Sequence, residues 1–124
     1  MIPIVRSPAT GDLGGLAKQR TSLVAAARAG TLSLEALQGG ATSLSNLGNT
    51  RVDEFAAVIA PPQSTILAVG RAAPRPYVLG GKLAVRSTLR LCLSVDHRVL
   101  DGAPAAEFLG LIVDLLETPG KLAQ

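Results

Sequence analysis

The fold is decided by residues 89–117, which read LRLCLSVDHRVLDGAPAAEFLGLIVDLLE. Apolar and polar residues alternate from Leu83 to Val95, and this period of two predicts one half-buried strand with a polar face. A helix is predicted from Ala105 to Glu117 because an apolar stripe recurs there at helical spacing, at Phe108, Leu111, Ile112 and Leu115. Gly102 lies between the two and would permit a sharp turn. The stretch therefore predicts a strand, a tight turn and a helix.

The rest of the chain alternates between helical and extended patterns. Helical spacing predicts a helix over Asp12–Ala29, with Asp12 as the N-cap and Gly30 as a left-handed C-terminal residue. Shorter runs predict a short helix over residues 33–37 and strands over residues 2–5, 42–45 and 64–69. Residues 74–81 hold two prolines and two glycines, so we expect a loop there with at most a short strand. The sequence thus predicts an α/β class.

Composition indicates that this chain acts in an assembly. Its 124 residues are enough for one domain with a real core, yet 48% are apolar and only 17% are charged. Such a chain alone would expose much aliphatic surface, and large apolar patches usually mark interfaces, so we expect an oligomer. The net charge of +3 comes from scattered basic residues, and only 2% of the residues are aromatic. Nucleic-acid binding is therefore not expected.

Cysteine usage and hydropathy limit the expected cellular location and the kinds of site that the chain can form. Cys92 is the sole cysteine, so an internal disulfide cannot form, no metal-binding spacing exists and a cytoplasmic location is expected. A buried hydrophobic role for Cys92 is favoured over a reactive thiol. No membrane contact is expected, because Asp114 interrupts even the apolar run 111–116. No secretory signal is evident at the N-terminus.

The only histidine, His97, lies at the end of the predicted strand beside two carboxylates. A base there would need a partner that fixes its tautomer, and Asp96, Asp101 or a backbone carbonyl could supply it. Arg98 could bind a carboxylate in bidentate fashion and lock the turn. The alternative is structural: His97 forms a local hydrogen bond and Asp101 caps the helix. A serine-hydrolase elbow and a glycine-rich phosphate loop are both missing.

Four segments carry a family resemblance. The octapeptide DHRVLDGA, Asp96–Ala103, resembles the catalytic signature of the dihydrolipoamide acyltransferases of 2-oxoacid dehydrogenase complexes. Residues 2–6 (IPIVR), 38–48 (QGG through SNLG) and 52–70 (VDEF, PPQ and ILAVG) resemble further segments of that family, in the same order. The resemblance covers nearly the whole chain.

The resemblance implies a fold and an activity. The fold would be that of chloramphenicol acetyltransferase, a two-layer α/β sandwich whose mixed sheet has helices on one face, assembled as trimers or multiples of trimers. The substrates would be coenzyme A and a lipoyl group, without a metal, at active sites between subunits. By resemblance His97 is the base that takes the coenzyme A proton, and Ser45 of a neighbouring subunit stabilises the oxyanion. Asp101 orients His97, pairs with an arginine or holds the turn. Further supporting residues are Arg98, Gly102 and Asn46.

The chain also departs from the family pattern. It is expected to form a single acyltransferase-type domain over residues 1–124 that lacks the family's N-terminal portion, any lipoyl domain and any subunit-binding domain. Asn49-Thr50-Arg51 replaces the usual apolar and glycine residues. Arg51 could attract an anionic group, or it could be a solvated loop charge.

Three functions follow from the match and the departures. The first is transfer of an acyl group between dihydrolipoamide and coenzyme A. The second is a coenzyme-A-linked transfer to another carrier or small molecule. The third is a non-catalytic scaffold of the same fold, which the shortened chain favours and the presence of His97, Asp101 and Ser45 disfavours. Partners would be further copies of the chain, the missing half-domain or other subunits of a dehydrogenase complex.

Overall fold

The computed structural model describes residues 2–10 and 12–123, and in them two α-helices and five β-strands. In chain order they are α1 (Leu13–Ala29), β1 (Thr42–Asn46), β2 (Thr65–Val69), β3 (Ala73–Leu79), β4 (Lys82–Thr88), β5 (Leu91–Val95) and α2 (Gly102–Glu117). Two compact units divide the chain: Met1–Gly40 with Gly110–Gln124, and Ala41–Leu109. No helix in the described ranges is both long and apolar enough to cross a membrane.

The first unit contains α1, whose predicted caps are confirmed. The Asp12 carboxylate accepts a hydrogen bond from the Gly15 N–H at 2.5 Å, and Gly30 ends the helix in the left-handed conformation at φ 70°. The strand predicted over residues 2–5 does not form. Pro3 has no N–H to donate to a neighbouring strand, and the segment is joined to residues 35–38 by the backbone bond from Ile4 N to Ala36 O instead of by a ladder. The short helix predicted over residues 33–37 is a 3₁₀ turn, Glu35–Leu37.

The second unit contains a mixed three-stranded sheet in the order β1-β2-β5. β1 runs parallel to β2, with Ser45 opposite Ala68, whereas β5 runs antiparallel, with Cys92 opposite Ala68. The central position of β2 explains its burial, since Ile66 and Ala68 are 6% and 1% exposed. This register determines which loops lie at each end of the sheet.

The single strand predicted from Leu83 to Val95 is wrong in its continuity. β4 ends at Thr88, β5 begins at Leu91, and the two strands belong to different sheets. At the break, the Arg90 carbonyl accepts a bond from Gly70 N at 3.0 Å, which directs the chain towards β2. Alternation continues across this break in the sequence, so the period alone does not reveal it.

β3 and β4 form a separate antiparallel hairpin, where the sequence predicted a loop with at most a short strand. Pro74 and Pro76 have the same parity along β3, so both of their missing donors fall on one edge of that strand. A two-stranded ribbon has such a free edge, which is where proline is tolerated. The hairpin carries exposed apolar side chains, including Leu83 at 79% and Val85 at 75%.

Gly70 is the position where the second unit should be least tolerant of a side chain. A Cβ there would lie 1.9 Å from the Asp53 carbonyl oxygen, so replacement by alanine must displace backbone. We expect Gly70→Ala to lower the free energy of unfolding by about 1–3 kcal/mol or more. Gly110→Ala is the control: apart from its chain neighbours and the backbone of its own helix, no atom of the described residues lies within 4 Å of its Cβ, and helix propensity should add about 1 kcal/mol. Urea unfolding measures both, and equal stability of Gly70→Ala and the unaltered chain would contradict the close approach.

Candidate functional site

His97 lies in a turn that the sheet register places at one end of β5. Immediately after β5, the Asp96 N–H donates to the Ser64 carbonyl at 2.8 Å, which extends the pairing with β2. The Asp96 carbonyl then accepts bonds from Val99 N at 2.9 Å and Leu100 N at 3.1 Å. Asp96 therefore begins the turn, and His97 is held two residues beyond a rigid strand.

Asp96 pairs with Arg98 rather than with His97. Its carboxylate accepts bonds from the Arg98 main-chain N (3.0 Å), from Nε (3.0 Å) and from Nη2 (2.7 Å). The side-chain hydrogen bonds from Arg98 lower the pKa of Asp96 to about 2. The structure thus confirms the predicted bidentate contact of Arg98 and removes Asp96 from the possible partners of the imidazole.

Asp101 is the carboxylate nearest to the His97 ring. Its Oδ1 lies 3.5 Å from His97 Nδ1, beyond the usual hydrogen-bond distance, and the two side chains are 81% and 76% exposed. The Asp101 carbonyl accepts from Ala105 N at 3.1 Å, so the residue sits where α2 begins. No backbone N–H in the described ranges donates to the Asp101 carboxylate, so its oxygens remain available to the imidazole.

Ser45 is half-buried near the end of β1. Its hydroxyl has no hydrogen-bond partner in the described part of the chain, whereas Ser43, on the same face, donates to Gln63 Oε1. The side chain of Asn46 accepts a bond from Gly48 N at 2.7 Å and so shapes the turn that follows. Ser45 therefore offers a hydroxyl donor, unpartnered among the described residues, on a strand that is paired along its whole length with β2.

Ser45 and His97 lie at opposite ends of the three-stranded sheet. Ser45 stands in one cross-strand row with Ala68 and Cys92, and His97 follows Cys92 by five residues along β5 and its turn. At the usual rise of about 3.3 Å per residue and strand spacing of about 4.8 Å, the two residues are on the order of 15 Å apart or more. One copy of the chain cannot place both side chains on the same reacting atoms.

The remaining predicted site residues have simpler surroundings. Gly102 begins α2 without the left-handed backbone that favours glycine, so the expected role in a sharp turn is wrong; residues 97–99 form that turn. Cys92 is half-buried in β5. Arg51 is exposed and forms no ion pair among the described residues, which leaves both interpretations of it open.

Asp53 forms a second carboxylate–arginine cluster, which the sequence analysis did not predict. Its carboxylate accepts hydrogen bonds from Arg71 Nε at 3.0 Å and Arg75 Nη2 at 2.7 Å, and the Arg71 bond is the main cause of its lowered pKa. Arg75 also donates to the Thr88 carbonyl. Asp53 therefore fastens a loop to the β3–β4 hairpin. The partners are 18 and 22 positions away, which local patterns do not connect.

Comparison with known proteins assigns the family. The family model of the 2-oxoacid dehydrogenases acyltransferase (catalytic domain) matches residues 1–124. The dihydrolipoyllysine-residue acetyltransferase component of the pyruvate dehydrogenase complex of Zymomonas mobilis is 41% identical over 123 residues, which are 98% of this chain and 28% of that relative.

Solved structures agree with this match. The dihydrolipoamide acetyltransferase of Azotobacter vinelandii superposes with a TM-score of 0.91 at 35% identity, over 98% of this chain and 50% of the solved one. The cubic core of a pyruvate dehydrogenase multienzyme complex gives a TM-score of 0.85 at 35% identity, over 98% and 48%.

These likenesses confirm the predicted α/β class and the chloramphenicol-acetyltransferase-like fold. They also show that the chain spans 28% of the length of the Zymomonas relative and about half of the solved cores. The resemblance first seen in Asp96–Ala103 extends over the full sequence. The chain belongs to the 2-oxoacid dehydrogenase acyltransferase family and carries sequence of its catalytic domain.

Proposed function

We propose that the chain transfers an acyl group between dihydrolipoamide and coenzyme A, with His97 as general base and Ser45 of a second copy as oxyanion donor. The observation that carries this proposal is the combination of an exposed imidazole at a fixed turn with an unpartnered hydroxyl at the other end of the sheet. Because one copy keeps them apart, a site that uses both needs two copies.

Residue spacing supports the assignment. A serine, a histidine and an asparagine were investigated for their role in the catalytic mechanism of the Azotobacter enzyme; the first two are 52 positions apart, and the asparagine follows the histidine by 4. Ser45 and His97 are likewise 52 positions apart, and Asp101 follows His97 by 4. The matching spacing supports Ser45, His97 and Asp101 as the site residues here, with an aspartate in place of the asparagine.

The chemistry needs both groups. A thiol with an ordinary pKa near 8.5 is mostly protonated at neutral pH, so a base must remove the coenzyme A proton as sulfur attacks. His97 takes that proton, and the new C–S bond leaves a tetrahedral oxyanion to which the Ser45 hydroxyl donates. Collapse breaks the bond to the dihydrolipoamide sulfur, and the imidazolium returns its proton to that leaving thiolate. No metal is required at any step.

Exposed apolar surface supports an assembly. Buried apolar residues in the described ranges are few (Ile66, Ala68 and Ala105), whereas Val58, Leu83 and Val85 are at least 75% exposed. Such side chains usually mark interfaces. We propose trimers or multiples of trimers, completed by the half of the catalytic domain that this chain does not span or by other subunits of a dehydrogenase complex. A cytoplasmic location is part of the same proposal.

A transfer assay tests the function. The chain is incubated with acetyl-coenzyme A and free dihydrolipoamide, and released coenzyme A and S-acyl product are followed by mass spectrometry. Transfer that disappears in His97→Ala supports the proposal. Transfer to another thiol or amine, with none to dihydrolipoamide, would select the second activity. A folded trimer that neither transfers an acyl group nor binds coenzyme A would overturn both activities and favour the non-catalytic scaffold.

Asp101 is expected to orient the imidazole rather than to take part in proton transfer. Asp101→Asn retains an oxygen near His97 Nδ1 and has the residue type of the Azotobacter enzyme. We expect it to lose less than about tenfold in kcat, whereas Asp101→Ala, which leaves the ring unsupported, loses up to about a hundredfold. Steady-state kinetics of the two variants measure this difference. Equal losses in both would contradict the orienting role.

A further inference from the structure

We propose that Asp96 is a positioning residue: clamped by Arg98, its carboxylate fixes the backbone turn that carries His97, an inference that rests on the proposed role of His97. The two residues flank the histidine on either side, and in the described ranges no hydrogen bond or ion pair joins either of them to its ring. Asp96 thus acts on the base through the main chain.

The contacts of Asp96 hold both sides of the turn. Its Oδ1 accepts from the Arg98 main-chain N at 3.0 Å, which closes a local ring across His97. Oδ2 accepts from Arg98 Nη2 at 2.7 Å, so the guanidinium binds both carboxylate oxygens. Through its own N–H, Asp96 is anchored to Ser64 of the neighbouring segment at 2.8 Å. Asp96 therefore joins the turn, through its side chain, to the segment that precedes β2, through its N–H.

Burial explains why Asp96 is the fixed member of the pair. Its side chain is 20% exposed, whereas that of Arg98 is 85% exposed and reaches back from solvent. His97 is 76% exposed, and its contact with Asp101 is long at 3.5 Å, so the position of the ring depends on the turn as well as on Asp101. A base displaced by about 1 Å can lose about a hundredfold in rate, so the position of this turn matters for transfer.

Kinetics of three variants test the clamp. Asp96→Ala removes every side-chain contact and should lower kcat by about 10- to 100-fold, with both KM values changed less than about twofold. Asp96→Asn keeps an acceptor for the Arg98 amide and should retain more activity than alanine. Asp53→Asn is the matched control because it weakens two arginine contacts elsewhere. It should lower Tm while the folded protein keeps its kcat. Unchanged kcat in Asp96→Ala, or an equal kcat loss in the control, would overturn the proposal.

Amide hydrogen exchange tests the clamp independently of activity. Protection of the Arg98, Val99 and Leu100 amides should fall in Asp96→Ala and persist in Asp53→Asn. Because Arg98 lowers the pKa of Asp96 from 3.8 to about 2, the clamp should remain formed from neutral pH to about pH 4 and be lost as the pH falls through about 2. If protection falls in Asp96→Ala but the unaltered chain transfers no acyl group, the proposed function is rejected and the clamp is kept. Unchanged protection in Asp96→Ala would reject the clamp.

Discussion

Replacing His97 by alanine is expected to lower kcat for acyl transfer by about a hundred- to ten-thousand-fold, the usual contribution of a general base. Without the imidazole, the coenzyme A thiol must lose its proton to water, so few molecules react as thiolate at neutral pH. Binding contacts are kept, and both KM values should change little. Initial rates with coenzyme A and S-acetyldihydrolipoamide measure the effect.

The same variant should fold normally. The His97 side chain is 76% exposed and forms no hydrogen bond in the described ranges, so its loss should change the free energy of unfolding by less than about 0.5 kcal/mol. Raising the pH should partly restore the rate, because more of the thiol ionises without help. Retention of more than about a tenth of the activity would contradict the assignment of His97 as the base.

Ser45→Ala is the second variant with a large expected effect. Loss of one oxyanion donor costs about a hundred- to a thousandfold in kcat in a well-studied hydrolase, and a similar loss is expected here. Because the Ser45 hydroxyl is unpartnered in the described chain, stability should be almost unchanged. Chemical quench of single turnovers separates this loss from slow product release.

Ser43→Ala is the matched control for Ser45→Ala. It lies two residues earlier on the same face of β1, but it is buried and donates to Gln63. The control should lose about 0.5–1.5 kcal/mol of stability, because a part-buried hydrogen bond is removed, and keep its kcat once folded. The two serines are thus expected to show opposite effects on stability and rate. Equal rate losses in the two variants would indicate a general disturbance of β1.

Local rules predicted the parts of the fold that local forces dominate. The caps of α1, Asp12 and Gly30, followed from residue type and position alone. The strand predicted over residues 64–69 was correct within one residue because it is a short apolar run at the centre of a sheet. The two prolines of β3 misled the prediction because proline at a free edge does not prevent a strand.

The arrangement of the site depended on pairing that the sequence does not display. Asp96, Asp101 and a carbonyl were all candidate partners of His97. The bidentate contact with Arg98 removes Asp96 from them, and the 3.5 Å distance to Nδ1 identifies Asp101 as the nearest carboxylate. The separation of Ser45 from His97 likewise follows from the antiparallel direction of β5 against β2, which no local pattern specifies. The family resemblance named these residues, whereas the register explains why the proposed site needs two copies.

The central claim is that each site combines His97 of one copy with Ser45 of another. In a head-to-tail ring, every interface brings together one group from each of two neighbours. Chains that carry His97→Ala and chains that carry Ser45→Ala should each be almost inactive alone, yet a mixed ring would contain interfaces where both groups are intact.

Mixing these two variants is the most direct measurement. Equal amounts are unfolded together, refolded into mixed assemblies, and assayed beside each variant treated alone. If interfaces form at random, about one site in four has both groups, so activity should return to about a quarter of that of the unaltered chain. Activity no higher than that of the separate variants, in assemblies shown by native mass spectrometry to be mixed, would contradict the account.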